Sequence, residues 1–277
     1  MIDGIKIFDA HVHYLGRFKK RDESIVEYLE KFGIDKAIIT TVNKHTTLEK
    51  FNLLPDENSM ENFDEAMFIE HFGLKDQLDH SEVLKLVQEN QNLFGFYWFN
   101  PKIADDDDWK IMKKYIIDHG FKGVKTQMCV DLLKVPEDLF SLAEFCIKYD
   151  VPLFLHSSVG FFFQDAFRAK DYYDFIKEFP ELKCIIGHAA YSMEYCINLL
   201  RYFTNLPNVF FETSVSIPYG IMTLIKIMGD HRVIFGSDAP SATNPDIEIN
   251  KIKMLNLSKK TLENVFYNNI SKLIGEG

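Results

Sequence analysis

The chain has 277 residues, 47% of them hydrophobic and 26% charged, with a net charge of −10 and an isoelectric point near 5.4. That length suits a single α/β barrel, and the apolar fraction supports a large core, which excludes a disordered chain. The acidic balance argues against nucleic acid or an anionic membrane surface as a partner, and no apolar run reaches transmembrane length.

The first segment, Ile5–His13, is a strand that ends in Asp9-Ala10-His11-Val12-His13; it reads as a strand and not as a signal peptide. Side chains on a strand alternate, so Asp9, His11 and His13 are expected on one face. Two imidazoles on one rigid face are half of a metal site, and an acid can orient them from behind. The same pair also occurs on solvated strand edges, so the rest of the chain has to decide.

Seven further strands are predicted: Lys36–Val42, Leu93–Asn100, Gly123–Met128, Pro152–His156, Cys184–His188, Val209–Thr213 and Val233–Asp238. Helical periodicity fills the gaps at Ser24–Phe32, Trp109–His119, Leu139–Tyr149, Tyr172–Phe179, Met193–Phe203, Tyr219–Met228 and Lys260–Ile274. Pro136-Glu137-Asp138 opens one helix, and Gly33, Gly120 and Gly229 close others. Eight strand–helix units predict a (β/α)8 TIM barrel occupying residues 1–277 as one domain; an open doubly wound sheet, which lacks its Gly-rich dinucleotide turn here, is the alternative. Residues 43–92 are too long for one crossover and contain a helical Ser81–Gln91. They are expected as an insertion at the catalytic rim, either a partial lid or a solvated elaboration.

The chemistry-bearing residues fall at strand ends. His156 ends the fifth strand, His188 the sixth and Asp238 the eighth, while Lys125 lies near the end of the fourth. Barrel enzymes place their active sites at these positions. Separate buried histidines would each need a partner, at a cost of a few kcal/mol if unpaired. One shared divalent ion satisfies them together. Imidazoles plus a carboxylate suit Zn²⁺, with Mn²⁺, Fe²⁺ or Co²⁺ as alternatives. The other histidines, His45, His71, His80, His119 and His231, are expected as solvated side chains.

Taken together, Asp9-Ala10-His11-Val12-His13, Gly123-Val124-Lys125, His156, Ile186-Gly187-His188-Ala189 and Gly236-Ser237-Asp238-Ala239-Pro240 resemble the amidohydrolase superfamily, in its amidohydrolase-related branch. The resemblance covers nearly the whole chain. It implies a mononuclear metal held by His11, His13, His156 and Asp238, with Asp238 also catalytic and His188 a catalytic or substrate-orienting residue. It implies a metal-activated water that cleaves an amide, lactone or ester of a small carboxylate-bearing molecule. Non-oxidative decarboxylases of aromatic acids share the branch and form the alternative. They often carry an aromatic residue after the eighth-strand aspartate, where this chain has Ala239-Pro240.

Lys125 is expected to bind an anionic substrate group, with a structural ion pair or a carboxylated metal bridge as alternatives. Thr126-Gln127 departs from the histidine–proline pair often found there. Trp98 and Phe161 are candidate pocket walls, Phe161 equally a covering surface, and Glu212 can meet substrate or pair locally. Asp105–Asp108 is read as a helix cap and not as a cation cluster. Cys129, Cys146, Cys184 and Cys196 have no CxxC spacing and are expected as free thiols in a cytoplasmic protein. The partner expected is a small molecule, with no nucleic acid or membrane; a homo-oligomer is compatible with the sequence.

Overall fold

The structure, a computed structural model, describes residues 4–42, 73–157 and 168–276. Its strands are β1 (Phe8–His13), β2 (Lys36–Thr40), β3 (Leu93–Trp98), β4 (Gly123–Gln127), β5 (Leu153–His156), β6 (Cys184–Ile186), β7 (Val209–Glu212) and β8 (Val233–Ile234). Each pairs in parallel with the next. The seam between β8 and β1 is held by a Val12–Ala239 bridge and by Ala10 N–H donating to the Phe235 carbonyl at 3.0 Å. The result is the (β/α)8 barrel that the alternation predicts. β8 is shorter than its apolar run because the chain beyond Ile234 leaves the ladder. Asp238 N–H reaches across to the His11 carbonyl at 2.7 Å, and this crossing carries the Asp238 side chain to the β1 histidines.

The helices are α1 (Ile25–Lys31), α2 (Ser81–Glu89), α3 (Asp106–Ile117), α4 (Met128–Asp131), α5 (Phe140–Lys148), α6 (Ala169–Glu178), α7 (Met193–Phe203), α8 (Pro218–Met228), α9 (Pro245–Lys253), α10 (Lys259–Glu263) and α11 (Asn269–Leu273). Asp105 caps α3, accepting from the N–H groups of Asp107 and Asp108, so the acidic run serves the helix start. The expected last helix is broken into α10, a π turn at Asn264–Asn268, and α11. α9 escapes the periodicity reading although Asn244 and Pro245 form a regular helix start. Among the described residues no helix is long and apolar enough to cross a membrane. All four cysteines are buried and free.

Alternation along the strands sorts the core into two layers. Phe8, Ala10, Ile38, Phe94, Phe96, Phe154, Ile185 and Ile234 fill the barrel, and Ile270, Leu273 and Ile274 close its lower end. Their strand neighbours, such as Ala37, Ile39, Leu153, Leu155, Val209 and Phe211, pack outward against the helices. Bulky rings fit inside because some facing positions carry no side chain: a Cβ at Gly123 would lie 2.6 Å from the Phe96 ring. Burial of each such ring contributes on the order of 2–3 kcal/mol. Two residues beyond the inward Phe96, Phe154 and Phe210 stand Trp98, His156 and Glu212. Period two therefore lifts the candidate residues to the open end of the barrel.

The expectation that Asp9, His11 and His13 share a face is corrected. The β1–β2 register slips between Asp9 and Val12, a β-bulge. Phe8 and Ala10 belong to the inner layer, whereas Val12 belongs to the outer one. The bulge turns both histidines into the site and leaves Asp9 in the seam, where its carboxylate accepts from the N–H groups of His11 (3.1 Å) and Ser237 (2.9 Å). Residues 43–72 of the expected insertion and Phe161 lie outside the described residues. Where the insertion rejoins the barrel, Leu74 packs with Trp98 and Val130.

Candidate active site at the open end of the barrel

His11, His13, Lys125, His156, His188, Glu212 and Asp238 are all at most 9% exposed. The donor atoms of His11, His188 and Asp238 lie within 4.8 Å of one another. His13 Nε2 is 3.2 Å from Asp238 Oδ1. His156 sits one step farther out, with its Nδ1 3.2 Å from His188 Nε2 and its Nε2 3.3 Å from the Gln127 amide nitrogen. The backbone supports this convergence at a cost: His188 and Asp238 both adopt φ of +53, in the left-handed region that non-glycine residues occupy only uncommonly.

The tautomers follow from what stands behind each ring. His13 Nδ1–H donates to the Thr41 carbonyl at 2.8 Å, and His188 Nδ1–H to the Ser214 carbonyl at 3.1 Å. His11 Nδ1–H faces the Glu212 carboxylate at 3.3 Å. A carbonyl or carboxylate can only accept, so in all three rings the Nε2 lone pair is directed into the site. This is the arrangement by which proteins orient metal-binding imidazoles. The acid behind the His11 ring is thus Glu212 and not Asp9. Gly236 makes the approach feasible, since a Cβ there would lie 2.2 Å from Glu212 Oε1 and 2.9 Å from His11 Cβ.

Lys125 enters the centre of this group. Its Nζ lies 2.6 Å from His11 Nε2 and 3.4 Å from His13 Nε2, over the faces of Trp98 and Phe154 at 5.1 and 5.4 Å. Its ammonium faces imidazoles, and among the described residues no carboxylate stands within ion-pair distance of it.

Burial keeps the imidazoles of His11, His13 and His156 neutral. It pushes His11 down to about 4 and, with Lys125 nearby, lowers His13; His156 is lowered well below its usual range. Burial also depresses Lys125 to about 8. Burial alone would raise Asp238 and Glu212, but the groups around them hold both below the ordinary carboxylate range. Two ionised carboxylates against one ammonium, with neutral nitrogen lone pairs between them, form a donor set that fits a divalent cation. The lone pairs of His11 and His13 that an ion would use are those facing Lys125.

Three further groups escape sequence reading. His80, expected in solvent, is 2% exposed, stacked on Tyr97 at 3.7 Å, and its Nε2 accepts the Trp98 backbone N–H at 2.9 Å. Its loop position hides this, because the ring folds back over β3. Ser214 bridges His188 Nδ1 (2.9 Å) and Glu212 (2.8 Å). Asp131 accepts the Trp98 indole N–H at 3.0 Å and the Gln127 backbone N–H at 2.7 Å. An acid inside the apolar run Met128–Leu133 is the signal that could have disclosed it.

A family model described as Amidohydrolase matches residues 8–275. No curated protein sequence matches the chain. Among solved structures, an uncharacterised TIM-barrel protein from Bordetella bronchiseptica superposes with a TM-score of 0.71 at 12% identity, covering 98% of this chain and 99% of its own. A candidate 2-pyrone-4,6-dicarboxylic acid hydrolase from Pseudomonas putida gives 0.65 at 14%, covering 98% of each chain. The 5-carboxyvanillate decarboxylase from Novosphingobium aromaticivorans, complexed with manganese and 4-hydroxy-3-methoxy-5-nitrobenzoic acid, gives 0.67 at 14%, covering 98% and 96%. At these identities the likeness is one of fold.

Proposed function

Since the chain belongs to the amidohydrolase family, we propose that it is a metal-dependent hydrolase cleaving an amide, lactone or ester in a small carboxylate-bearing molecule. The observation that carries this reading is the set of pinned imidazoles whose Nε2 lone pairs converge beside Asp238 at the open end of the barrel. His11, His13, His156 and Asp238 are the proposed ligands of one ion, Zn²⁺ by its donor types, with Mn²⁺, Fe²⁺ or Co²⁺ as substitutes. When bound, such an ion supplies Lewis acidity and lowers the pKa of water.

The protein groups then divide the proton work. Asp238, ionised, accepts a proton from the attacking water. His188 Nδ1 is committed to Ser214, so its Nε2 is the basic nitrogen that receives a proton and passes it to the leaving atom. Lys125 supplies the cation for a substrate carboxylate, and Trp98 stands as an aromatic wall beside it. Phe161 remains a candidate contact on the fifth-strand loop. The donor distances favour a variant in which His188 ligates and His156 does the proton work.

The alternative, decarboxylation, draws support from the likeness to the manganese-bound decarboxylase. In that reaction Lys125 and the cation would hold the acid, and a protein group would protonate the carbon that loses CO₂. The partner proposed in either case is a small molecule, without nucleic acid or membrane. A cytoplasmic address and the oligomeric state belong to the same proposal.

The test is metal analysis followed by a screen of lactones, amides and aromatic acids in ¹⁸O-labelled water. Hydrolysis puts label into the product above exchange controls. Unlabelled product with stoichiometric CO₂ transfers the protein to the decarboxylase reading, and a metal-free active enzyme overturns both.

A further inference from the structure

Two residues that meet the candidate site, Trp98 and Gln127, are tied to one buried carboxylate. Asp131 is 1% exposed at the end of the four-residue α4. A carboxylate at the C-terminal end of a helix gains nothing from the helix dipole. Burying it is costly unless N–H groups satisfy it, and burial pushes it up to about 7 even so. Its oxygens accept the indole N–H of Trp98 at 3.0 and 3.1 Å, and its Oδ2 accepts the backbone N–H of Gln127 at 2.7 Å.

Each of those residues points onward. The Trp98 ring lies 5.1 Å from Lys125 Nζ and 6.4 Å from the His13 ring. The Gln127 side-chain amide nitrogen lies 3.3 Å from His156 Nε2 and so touches the edge of that ring. A tryptophan at the mouth of a barrel has two large rotational freedoms. Here the indole nitrogen is fixed by Asp131, and the backbone N–H by His80.

We propose that Asp131 is a positioning residue that locks Trp98 and Gln127 into one wall of the substrate space, covering Lys125 and fixing the orientation of His156. That this wall faces a substrate rests on the enzymatic reading above; that Asp131 fixes it does not.

The chain has two tryptophans, so Trp109→Phe leaves Trp98 as the sole indole reporter. Asp131→Ala and Asp131→Asn are added to that background. Asn100→Ala serves as control, because Asn100 donates to the Asp131 main-chain carbonyl at 3.1 Å and leaves the carboxylate untouched. Circular dichroism and Tm are recorded for each variant. Asp131→Ala is expected to shift Trp98 emission to the red and to raise its acrylamide quenching constant at least twofold. Asp131→Asn, which keeps one acceptor for the indole, should fall between. Asn100→Ala should leave emission unchanged whatever it does to Tm.

If emission and quenching in folded Asp131→Asn and Asp131→Ala match the parent, or if Asn100→Ala reproduces their change, the proposal is overturned. Should Asp131→Ala not fold, the Asp131→Asn comparison with Asn100→Ala decides on the same terms. Co²⁺ titration separates this idea from the enzymatic one. A bound Co²⁺ is expected to quench Trp98 in the parent, and less so in Asp131→Ala at equal stoichiometry. A parent that binds no Co²⁺ counts against the metal reading, while the acrylamide comparison still settles the role of Asp131.

Discussion

The Nζ of Lys125 lies 2.6 Å from Nε2 of His11, on the lone pair that a metal ion at this site would take. One nitrogen cannot serve an ammonium proton and a cation together, so metal entry has to move Lys125. The displaced ammonium then remains beside a dication, which disfavours binding by simple repulsion. Lys125→Met is therefore expected to bind Co²⁺ or Zn²⁺ more tightly, by about tenfold or roughly 1.4 kcal/mol, measured by competition with a chelator. A loss of metal in Lys125→Met would instead identify the lysine as a ligand through a carboxylated Nζ.

The His156–His188 pair offers a second discrimination. Their nitrogens stand 3.2 Å apart, and the two residues exchange roles between the reading from sequence order and the reading from donor distances. His11→Ala should lose metal and activity together, since it opens the cage in either scheme. His188→Ala should keep most of the metal while losing turnover, and His156→Ala should lose metal. Metal content that falls in His188→Ala and survives in His156→Ala would reverse the two assignments.

Much of this site is legible in the sequence because strand ends carry it. His156 follows Phe154 at period two on β5, and nothing but the strand is needed to place it. His11 and His13 were legible as a pair, but the orientation of Asp9 was not: a bulge is a one-residue slip that leaves the apolar pattern of the run intact. Glu212 and Ser214 could be seen at the end of β7, yet their role depends on β7 standing beside β8 and, across the seam, β1. That adjacency exists only once the barrel closes. Asp131 and His80 act through Trp98 from a short helix and a loop, where no periodicity marks the contact.

Gly236 provides a steric test of the support behind His11. A methyl group there would meet Glu212 Oε1 at 2.2 Å and His11 Cβ at 2.9 Å, and both belong to side chains packed on several sides. Gly236→Ala should cost about 1–3 kcal/mol in urea unfolding, as overpacking commonly does. It should also weaken metal binding, because the His11 ring is displaced from Glu212. Unchanged stability and metal affinity would mean that Glu212 relaxes freely and does not fix the His11 tautomer.

Glu248 supplies a pH signature away from the site. It is 2% exposed on α9, bonded to Lys251 Nζ at 2.7 Å, and burial pushes its carboxyl up from 4.5 to about 7. The folded chain therefore holds this proton more tightly than the unfolded chain does. Between about pH 4.5 and pH 7 the folded state carries more bound protons, so this group's contribution to stability falls as pH rises through that window. Glu248→Gln is neutral at every pH and removes the dependence. Urea unfolding of both proteins at pH 5, 6, 7 and 8 should show the parent losing stability relative to Glu248→Gln up to about pH 7 and running parallel to it above. Parallel curves across the whole range would mean that the ion pair with Lys251 already offsets the burial of the carboxylate.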